Sequence, residues 1–187
     1  MAKNNGQDEE INWVKEIVEM VLYIAFVILA VWFVITFVGQ RTEVSGSSMY
    51  DTLEDGDNLW IDKLSYRFKD PERFDVVVFP YHESNVYYIK RIIGLPGETI
   101  QIDEEGNIYI DGEILEEDYG YETIEPNMIG RADEEIKLGE DEYFVMGDNR
   151  NDSKDSRTVE VGNIHRDEFE GKAVLRIWPL SKFGTIE

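Results

Sequence analysis

Residues 20–38 read MVLYIAFVILAVWFVITFV, and this apolar run without a single charge decides the architecture of the chain. Nineteen helical residues span about 28 Å, close to the hydrocarbon thickness of a bilayer. A buried core helix is usually shorter. A cleavable leader usually has a basic start, whereas Asp8, Glu9 and Glu10 precede this run. We therefore predict one N-terminal transmembrane helix over residues 17–39.

The residues that flank this helix bear on its orientation. Lys3 and Lys15 precede it, and only Arg41 lies between it and Lys63. Because cationic residues concentrate on the cytoplasmic side of a membrane, we predict a cytoplasmic tail over residues 1–16 and an extracytoplasmic domain over residues 40–187. The lipid bilayer of the plasma membrane is then a partner of this single-pass chain.

Composition excludes several classes of function. A length of 187 residues suits one soluble domain plus an appendage, and the absence of cysteine excludes disulfides, thiolate zinc sites and cysteine nucleophiles. The formal net charge of -22 would repel phosphate backbones, so we expect no nucleic-acid partner.

After the helix, short β-branched and aromatic runs alternate with turn signals, which predicts a mainly β domain of antiparallel sheets without a further long helix. We expect Pro80 to end the second strand and residues 98–141 to form a β-rich excursion, with an acidic loop region over 116–141. The predicted strands are residues 59–61, 74–79, 86–93, 99–102, 107–110, 113–115, 143–146 and 172–178.

Ser48 lies in a Gly/Ser-rich turn ten residues beyond the apolar run. Such a serine is most often a hydrogen-bonded turn residue, and as a nucleophile it would need a base to take its proton. His82 and His165 occur in loop-like surroundings, YHESN and NIHRD, that carry no catalytic signal. A Ser-His-Asp site is therefore the less favoured interpretation.

Lys90 is the better candidate for a base. The period of two in a strand puts Lys90 on one face with Tyr88 and Ile92, while Arg91 points the other way and needs its own partner. Desolvation among apolar neighbours would lower the pKa of the lysine and favour its neutral form. The alternative is an edge-strand lysine that discourages aggregation, and strand context alone leaves both interpretations open.

The segment GDNRNDSKDSR at residues 147–157 is dense in turn formers and charge. It could be a solvated loop. It could also be a rigid frame in which Asp148 pairs with Arg91 and Asp155 pairs with Arg157, because bidentate arginine–carboxylate pairs hold a loop firmly.

Four segments, in this order, resemble bacterial type I signal peptidases, and the size and single anchor are similar to the Gram-positive forms. They are SGSSMYDTL at residues 45–53, FDVVV at 74–78, YIKRIIGLPGE at 88–98 and GDNRNDSKDSR at 147–157. The closing GKA and WP, at residues 171–173 and 178–179, also fit. The resemblance covers nearly the whole chain beyond the anchor except residues 116–141.

This resemblance implies a serine endopeptidase with a Ser-Lys dyad, in which Ser48 is the nucleophile and Lys90 the general base. It implies that Ser153 hydrogen-bonds and orients the lysine. The Ser48 N–H would be one oxyanion donor, and the second donor stays open. No metal or cofactor is needed. The residues expected to keep the site in shape are Arg91, Asp148, Asp155 and Arg157.

The resemblance also implies the substrates, which are the signal peptides of exported preproteins, cut after small residues at the -3 and -1 positions. The protein-export translocon is a further expected partner. The residues before the cut would lie extended between two segments of the chain, as an added strand. The candidate substrate-binding residues are Val44, Ser45, Gly46, Ser47, Tyr87, Tyr88 and Ile89.

Asp51 departs from the family pattern, which has proline at this position and so fixes φ in the turn after the nucleophile. We expect a slower or less stable enzyme rather than an inactive one, because the aspartate side chain can support a similar turn. The alternative is a catalytically impaired, membrane-tethered relative that binds exported chains. A self-cleaving repressor peptidase would need a DNA-binding domain, and an unrelated tethered binding module would not need Ser48 and Lys90 together.

Overall fold

The computed structural model describes residues 13–81 and 86–186, and it begins with the apolar helix. Helix α1 spans Trp13–Phe33 and continues as a π-helical turn over Val34–Val38. The combined helix is long and apolar enough to cross a membrane, and its apolar stretch is not buried against the rest of the protein. The predicted apolar helix is confirmed. Residues 1–12 of the predicted tail lie outside the described residues.

In the described part of the chain, twelve strands follow the helix and form two antiparallel sheets. The larger sheet has the order β1-β2-β11-β3-β4-β9-β10, with β12 paired to β11, and the smaller sheet has the order β7-β6-β5-β8. The predicted mainly β, antiparallel fold is confirmed. The strands are β1 (Gly39–Glu43), β2 (Asn58–Asp62), β3 (Val76–Tyr81), β4 (Val86–Gly94), β5 (Thr99–Ile102), β6 (Ile108–Ile110), β7 (Glu113–Ile114), β8 (Ile136–Lys137), β9 (Glu142–Met146), β10 (Ile164–His165), β11 (Gly171–Trp178) and β12 (Gly184–Thr185).

Two features of the larger sheet differ from the prediction. The polar β1 carries no strand signal, yet it pairs with β2 along its whole length directly after the helix. Pro80 lies inside β3 opposite Tyr87 and does not end the strand. On its other side β3 pairs with β11 only at Val77 and Val78. Pro80 therefore stands where β3 has a single neighbour, which is where a missing N–H is tolerated.

The smaller sheet falls within the predicted excursion but shares a hydrophobic core with the larger sheet. Ile93 and Phe144 of the larger sheet pack in one buried cluster with Ile100 and Ile102 of the smaller sheet. Burial of these side chains fixes the position of the smaller sheet against β4 and β9, because each fully buried aliphatic side chain stabilises the fold by about 1.5–3 kcal/mol.

Strand β4 changes its neighbours along its length. It pairs with β3 from Val86 to Arg91, but its pairing with β9 begins only at Arg91. The first half of β4, up to Lys90, therefore has one edge that no described strand covers. This free edge faces the segment that follows β1 and makes one wall of a groove.

Candidate active site

Ser48 and Lys90 come together from two distant parts of the chain. Ser48 lies in a turn after β1, held by a hydrogen bond from the Leu53 N–H to the Met49 carbonyl at 2.7 Å and by burial of both side chains. Lys90 lies in β4. The Lys90 Nζ is 2.7 Å from the Ser48 Oγ, which is hydrogen-bonding distance.

The Lys90 amine is sheltered from water, since the residue is only 3% exposed. Burial lowers the pKa of Lys90 to about 8, against an ordinary value of 10.5. The negative charges of Asp155 and Asp148 oppose this shift, and the positive charge of Arg157 adds to it. The amine also donates a hydrogen bond to the Ile89 carbonyl at 2.9 Å, which fixes its position.

A buried ion pair lies on the other face of β4. Arg91 and Asp148 are both fully buried and pair in a bidentate arrangement, with Nε–Oδ1 at 2.9 Å and Nη2–Oδ2 at 2.8 Å. The guanidinium also donates to the Phe74 carbonyl at 2.9 Å. Asp148 leads into Asn149, whose N–H donates to the Ser48 carbonyl at 3.1 Å. The ion pair is therefore connected to the backbone of Ser48.

Asp155 and Arg157 form a second buried pair, with Nη2–Oδ2 at 2.8 Å and Nε–Oδ1 at 2.9 Å. The Asp155 carboxylate also accepts the Gly147 N–H at 3.0 Å. Burial alone would raise the pKa of Asp155, but the hydrogen bond and charge of Arg157 outweigh burial, so the pKa lies below its ordinary value. The carboxylate therefore stays ionised and keeps residues 147–157 folded back on β9.

Ser153 does not make the hydrogen bond to Lys90 that the sequence led us to expect. Within residues 13–81 and 86–186, its buried Oγ makes no hydrogen bond of good geometry, although it lies close enough to the Asp155 carboxylate to help lower the pKa of that group. Ser153 packs against Gly147, where an added Cβ would lie 2.3 Å from both the Ser153 Oγ and the Ser48 carbonyl oxygen. Only glycine fits there, and it lets the backbone around Ser48 approach residue 147 closely.

Sequence reasoning missed the contribution of residues 117–121, which it placed in an acidic loop. The Tyr119 ring covers the Arg91 guanidinium, with 3.7 Å between Cζ and the ring centroid. The Tyr121 N–H donates to the Asp148 carbonyl at 2.9 Å, and Glu117 pairs with the buried Arg150 at 2.7 Å. The tyrosines in this acidic stretch were the available signal, because buried guanidinium groups often stack on aromatic rings.

A groove of about 550 Å³ runs between residues 42–49 and the free edge of β4, and Ser48 and Lys90 lie in it. Asp152 and Lys154 also line the groove, and they were not among the predicted substrate-binding residues. The Ser47 Oγ donates to Asp152 at 2.6 Å and so joins the two sides. The groove contains all seven candidate substrate-binding residues, Val44, Ser45, Gly46, Ser47, Tyr87, Tyr88 and Ile89.

The other candidates from the sequence lie elsewhere or outside the described residues. His82 is one of the residues that the structure does not describe. His165 is on the surface at the end of β10, and a hydrogen bond with Asp141 raises its pKa. Asp51 is exposed in the turn after Ser48. Among residues 13–81 and 86–186, no three His, Cys, Asp or Glu side chains cluster in a way that could hold a metal ion.

A buried, deprotonatable amine in contact with a half-buried hydroxyl can remove the proton of that hydroxyl, and the open groove beside it can hold an extended chain. The sequence profile of the family described as signal peptidase, peptidase S26, matches residues 17–178. The chain belongs to this family.

Individual members of the signal peptidase family are similar over most of the chain. The chain is 38% identical over 160 residues to the probable signal peptidase I-2 of Synechocystis sp., covering 81% of this chain and 68% of that protein. It is 33% identical over 181 residues to signal peptidase I P of Bacillus subtilis subsp. natto, covering 94% and 96%. The crystal structure of a signal peptidase I from Enterococcus faecalis has 34% sequence identity and a TM-score of 0.44, covering 56% of this chain and 97% of that one.

Proposed function

We propose that this protein is a membrane-anchored serine endopeptidase that removes N-terminal signal peptides from exported preproteins, with Ser48 as nucleophile and Lys90 as general base. The observation that carries the proposal is the contact of 2.7 Å between the Ser48 Oγ and the buried Lys90 Nζ. Membership of the signal peptidase family supports the substrate class.

Catalysis proceeds in two proton-transfer cycles. The neutral Lys90 amine takes the Ser48 proton as the Oγ attacks the scissile carbonyl, and the resulting ammonium gives that proton to the leaving amine. Water then attacks the acyl-enzyme with Lys90 again as base, which releases the new carboxyl end of the signal peptide and restores the serine. These steps need no metal or cofactor.

The Ser48 N–H is one oxyanion donor. Within the part of the chain that the structure describes, this N–H donates to no other group, so it is free for the oxyanion. The Ser47 hydroxyl donates to Asp152 and the Gly46 N–H donates to Asp55, so both are already engaged.

The substrate binds as an added strand along the free edge of β4, with residues 44–47 on its other side. Val44 and Ile89 line the groove and belong to one buried hydrophobic cluster, so the groove has an apolar floor beside Ser48. A floor of this kind fits small apolar side chains, which supports cleavage after small residues at the -3 and -1 positions.

The helix over Trp13–Val38 anchors the enzyme as a single membrane span, with a cytoplasmic N-terminus and an extracytoplasmic catalytic domain. Ser48 follows Val38 by only ten residues, which keeps the nucleophile near the bilayer surface where signal peptides emerge. The lipid bilayer and the export translocon are thus the expected surroundings of the reaction.

The test uses the full chain in detergent with a preprotein that has alanine at the -3 and -1 positions. Because a nucleophile and its base act as a unit, Ser48→Ala and Lys90→Met should each reduce cleavage by about a thousandfold or more. The exposed Ser181→Ala and Lys137→Met are matched controls and should cleave normally. Full activity in either active-site variant refutes the dyad, whereas binding without cleavage by the unmodified chain supports the catalytically impaired alternative.

A further inference from the structure

Residues 117–125 form an irregular segment, here named the 117–125 strap, that is tied to the catalytic site by hydrogen bonds. The Tyr121 N–H donates to the Asp148 carbonyl at 2.9 Å. The Asn151 side chain holds the end of the strap, since its Oδ1 accepts the Glu125 N–H at 2.9 Å. The second half of the strap therefore follows the chain around Asp148 and does not stand away from it.

A buried charge holds the first half of the strap. Glu117 pairs with the Arg150 Nη1 at 2.7 Å, and Arg150 is only 2% exposed. At Gly120 an added Cβ would lie 3.3 Å from the Arg150 Cζ, so the strap backbone passes close to the guanidinium. Within the part of the chain that the structure describes, the Arg150 Nε and Nη2 have no hydrogen-bond partner. The strap thus supplies the carboxylate that neutralises a cation otherwise buried alone.

The strap also contacts the other two segments that carry the site. The Tyr119 ring covers Arg91 of β4, with 3.7 Å between the ring centroid and Cζ. The Tyr121 ring meets the Tyr50 ring edge to face, with centroids 4.8 Å apart and an interplanar angle of 77°. Tyr50 follows Ser48 by two residues. One short segment therefore touches all three parts of the chain that form the site.

The turn that follows Ser48 is packed at its base and open at its tip. Met49 and Leu53 are buried at the base and joined by a backbone hydrogen bond. At the tip, Tyr50 is 37% exposed and Asp51 is exposed as well. Among the described residues, the Asp51 carboxylate makes no hydrogen bond or ion pair. The ring contact with the strap therefore supports the tip, where the turn's own side chains are not packed.

We propose that Tyr121 is a positioning residue for the nucleophile, a role that rests on the proposed function and deepens it. By packing on Tyr50, the Tyr121 ring restrains the turn that carries Ser48 and keeps its Oγ within reach of Lys90. In the described part of the chain neither tyrosine hydroxyl makes a hydrogen bond, so the rings carry the effect. Edge-to-face aromatic pairs stabilise beyond their buried area, and a small displacement of a reacting group slows the reaction.

The first test compares Tyr121→Ala with the conservative Tyr121→Phe, using the full chain in detergent and a short soluble peptide. Tyr121→Ala should lower kcat by about fivefold and change KM by less than about twofold, because the groove that binds the peptide is not altered. Tyr121→Phe keeps the ring and should match the unmodified chain. Phe68→Ala is the matched control and should also match it, because Phe68 is 80% exposed and makes no ring contact with another described residue.

The second test removes the other ring and measures the turn itself. Tyr50→Ala should lower kcat as Tyr121→Ala does, and the double variant should lose no more than either single variant. Amide hydrogen exchange reports on the turn independently of activity. The Leu53 N–H, which donates to the Met49 carbonyl, should exchange about fivefold faster in Tyr121→Ala and at the normal rate in Tyr121→Phe.

Several results would overturn the positioning role. They are an unchanged kcat or unchanged amide exchange in Tyr121→Ala, an equal loss in Tyr121→Phe, a rise in KM without a fall in kcat, and additive losses in the double variant. If Tyr121→Ala does not fold, Tyr50→Ala decides the same question from the other ring. An unmodified chain that cleaves no preprotein refutes the proposed enzyme instead, and amide exchange then still decides whether the strap restrains the turn.

Discussion

At the scale of single residues, Lys90 is costly to the fold. Its pKa is lowered from 10.5 to about 8 because folding removes the charged amine from water. That shift corresponds to about 3 kcal/mol of destabilisation, fully present below pH 8 and lost as the pH rises toward 10.5. A methionine of similar length would avoid this cost. The cost is understandable if the protein needs a neutral amine beside Ser48.

The lowered pKa of Lys90 predicts the pH dependence of cleavage. Only the neutral amine accepts the Ser48 proton, so kcat/KM should rise about tenfold per pH unit below pH 8 and level off above it. The measurement is hydrolysis of a peptide without titratable side chains between pH 6 and pH 9.5. A rate that stays constant across this range would contradict the role of Lys90 as base.

At the scale of secondary-structure elements, β4 could be predicted well from the sequence. Its β-branched and aromatic residues indicated a strand, and the period of two separated Lys90 from Arg91. The two residues do lie on opposite faces, one against Ser48 and the other against Asp148. Local pattern was sufficient here because β4 is buried on both faces from Ile89 onward, so its side chains there alternate between two packed environments.

The contacts made by residues 117–121 could not be predicted in the same way. This stretch has no regular period, and its position depends on Arg91 and Arg150, which are distant in sequence. The polar β1 was missed for a related reason, since its pairing with β2 and not its own composition makes it a strand. The close packing of Ser153 against Gly147 was likewise not visible in the sequence, because it depends on a tertiary contact.

The buried Arg91–Asp148 pair predicts strong coupling between β4 and residues 147–157. Arg91→Met or Asp148→Leu leaves one buried charge without a partner, so each should lower the free energy of unfolding by about 3–5 kcal/mol. The double variant should lose clearly less free energy of unfolding than the two single variants lose together, because no unpaired buried charge remains in it. Denaturant unfolding of the full chain in detergent measures all three variants.

The exposed ion pair between Lys182 and Glu54 is the control for this comparison of single and double variants. Solvent screens it, so its coupling energy should be below about 1 kcal/mol. Additive effects of Arg91→Met and Asp148→Leu would show that the two side chains act independently, contrary to the bidentate geometry.

At the scale of the whole molecule, the helix and the catalytic domain are joined without a linker. The π-helical turn ends at Val38 and β1 begins at Gly39, whose pairing with Asp62 places it directly in the larger sheet. The position of the groove relative to the end of the helix is therefore fixed by the fold and not by a flexible chain. In the proposed enzyme this joint determines the distance from Ser48 to the bilayer surface.

Because the helix and β1 are joined directly, a flexible insertion between them should impair the processing of membrane-embedded preproteins more than the hydrolysis of soluble peptides. Gly-Ser-Gly-Ser placed between Val38 and Gly39 leaves Ser48 and Lys90 in the sheet, so hydrolysis of a short soluble peptide in detergent should stay within about twofold of the unmodified chain. Processing of a membrane-embedded preprotein in vesicles should fall by about fivefold or more, because a longer connection lowers the effective concentration of the groove at the bilayer surface. The same insertion after Gly112, in the exposed turn between β6 and β7, is the matched control and should leave both rates unchanged. Equal preprotein processing by both insertion variants would show that the joint does not position the groove, since only one of them changes the connection to the membrane.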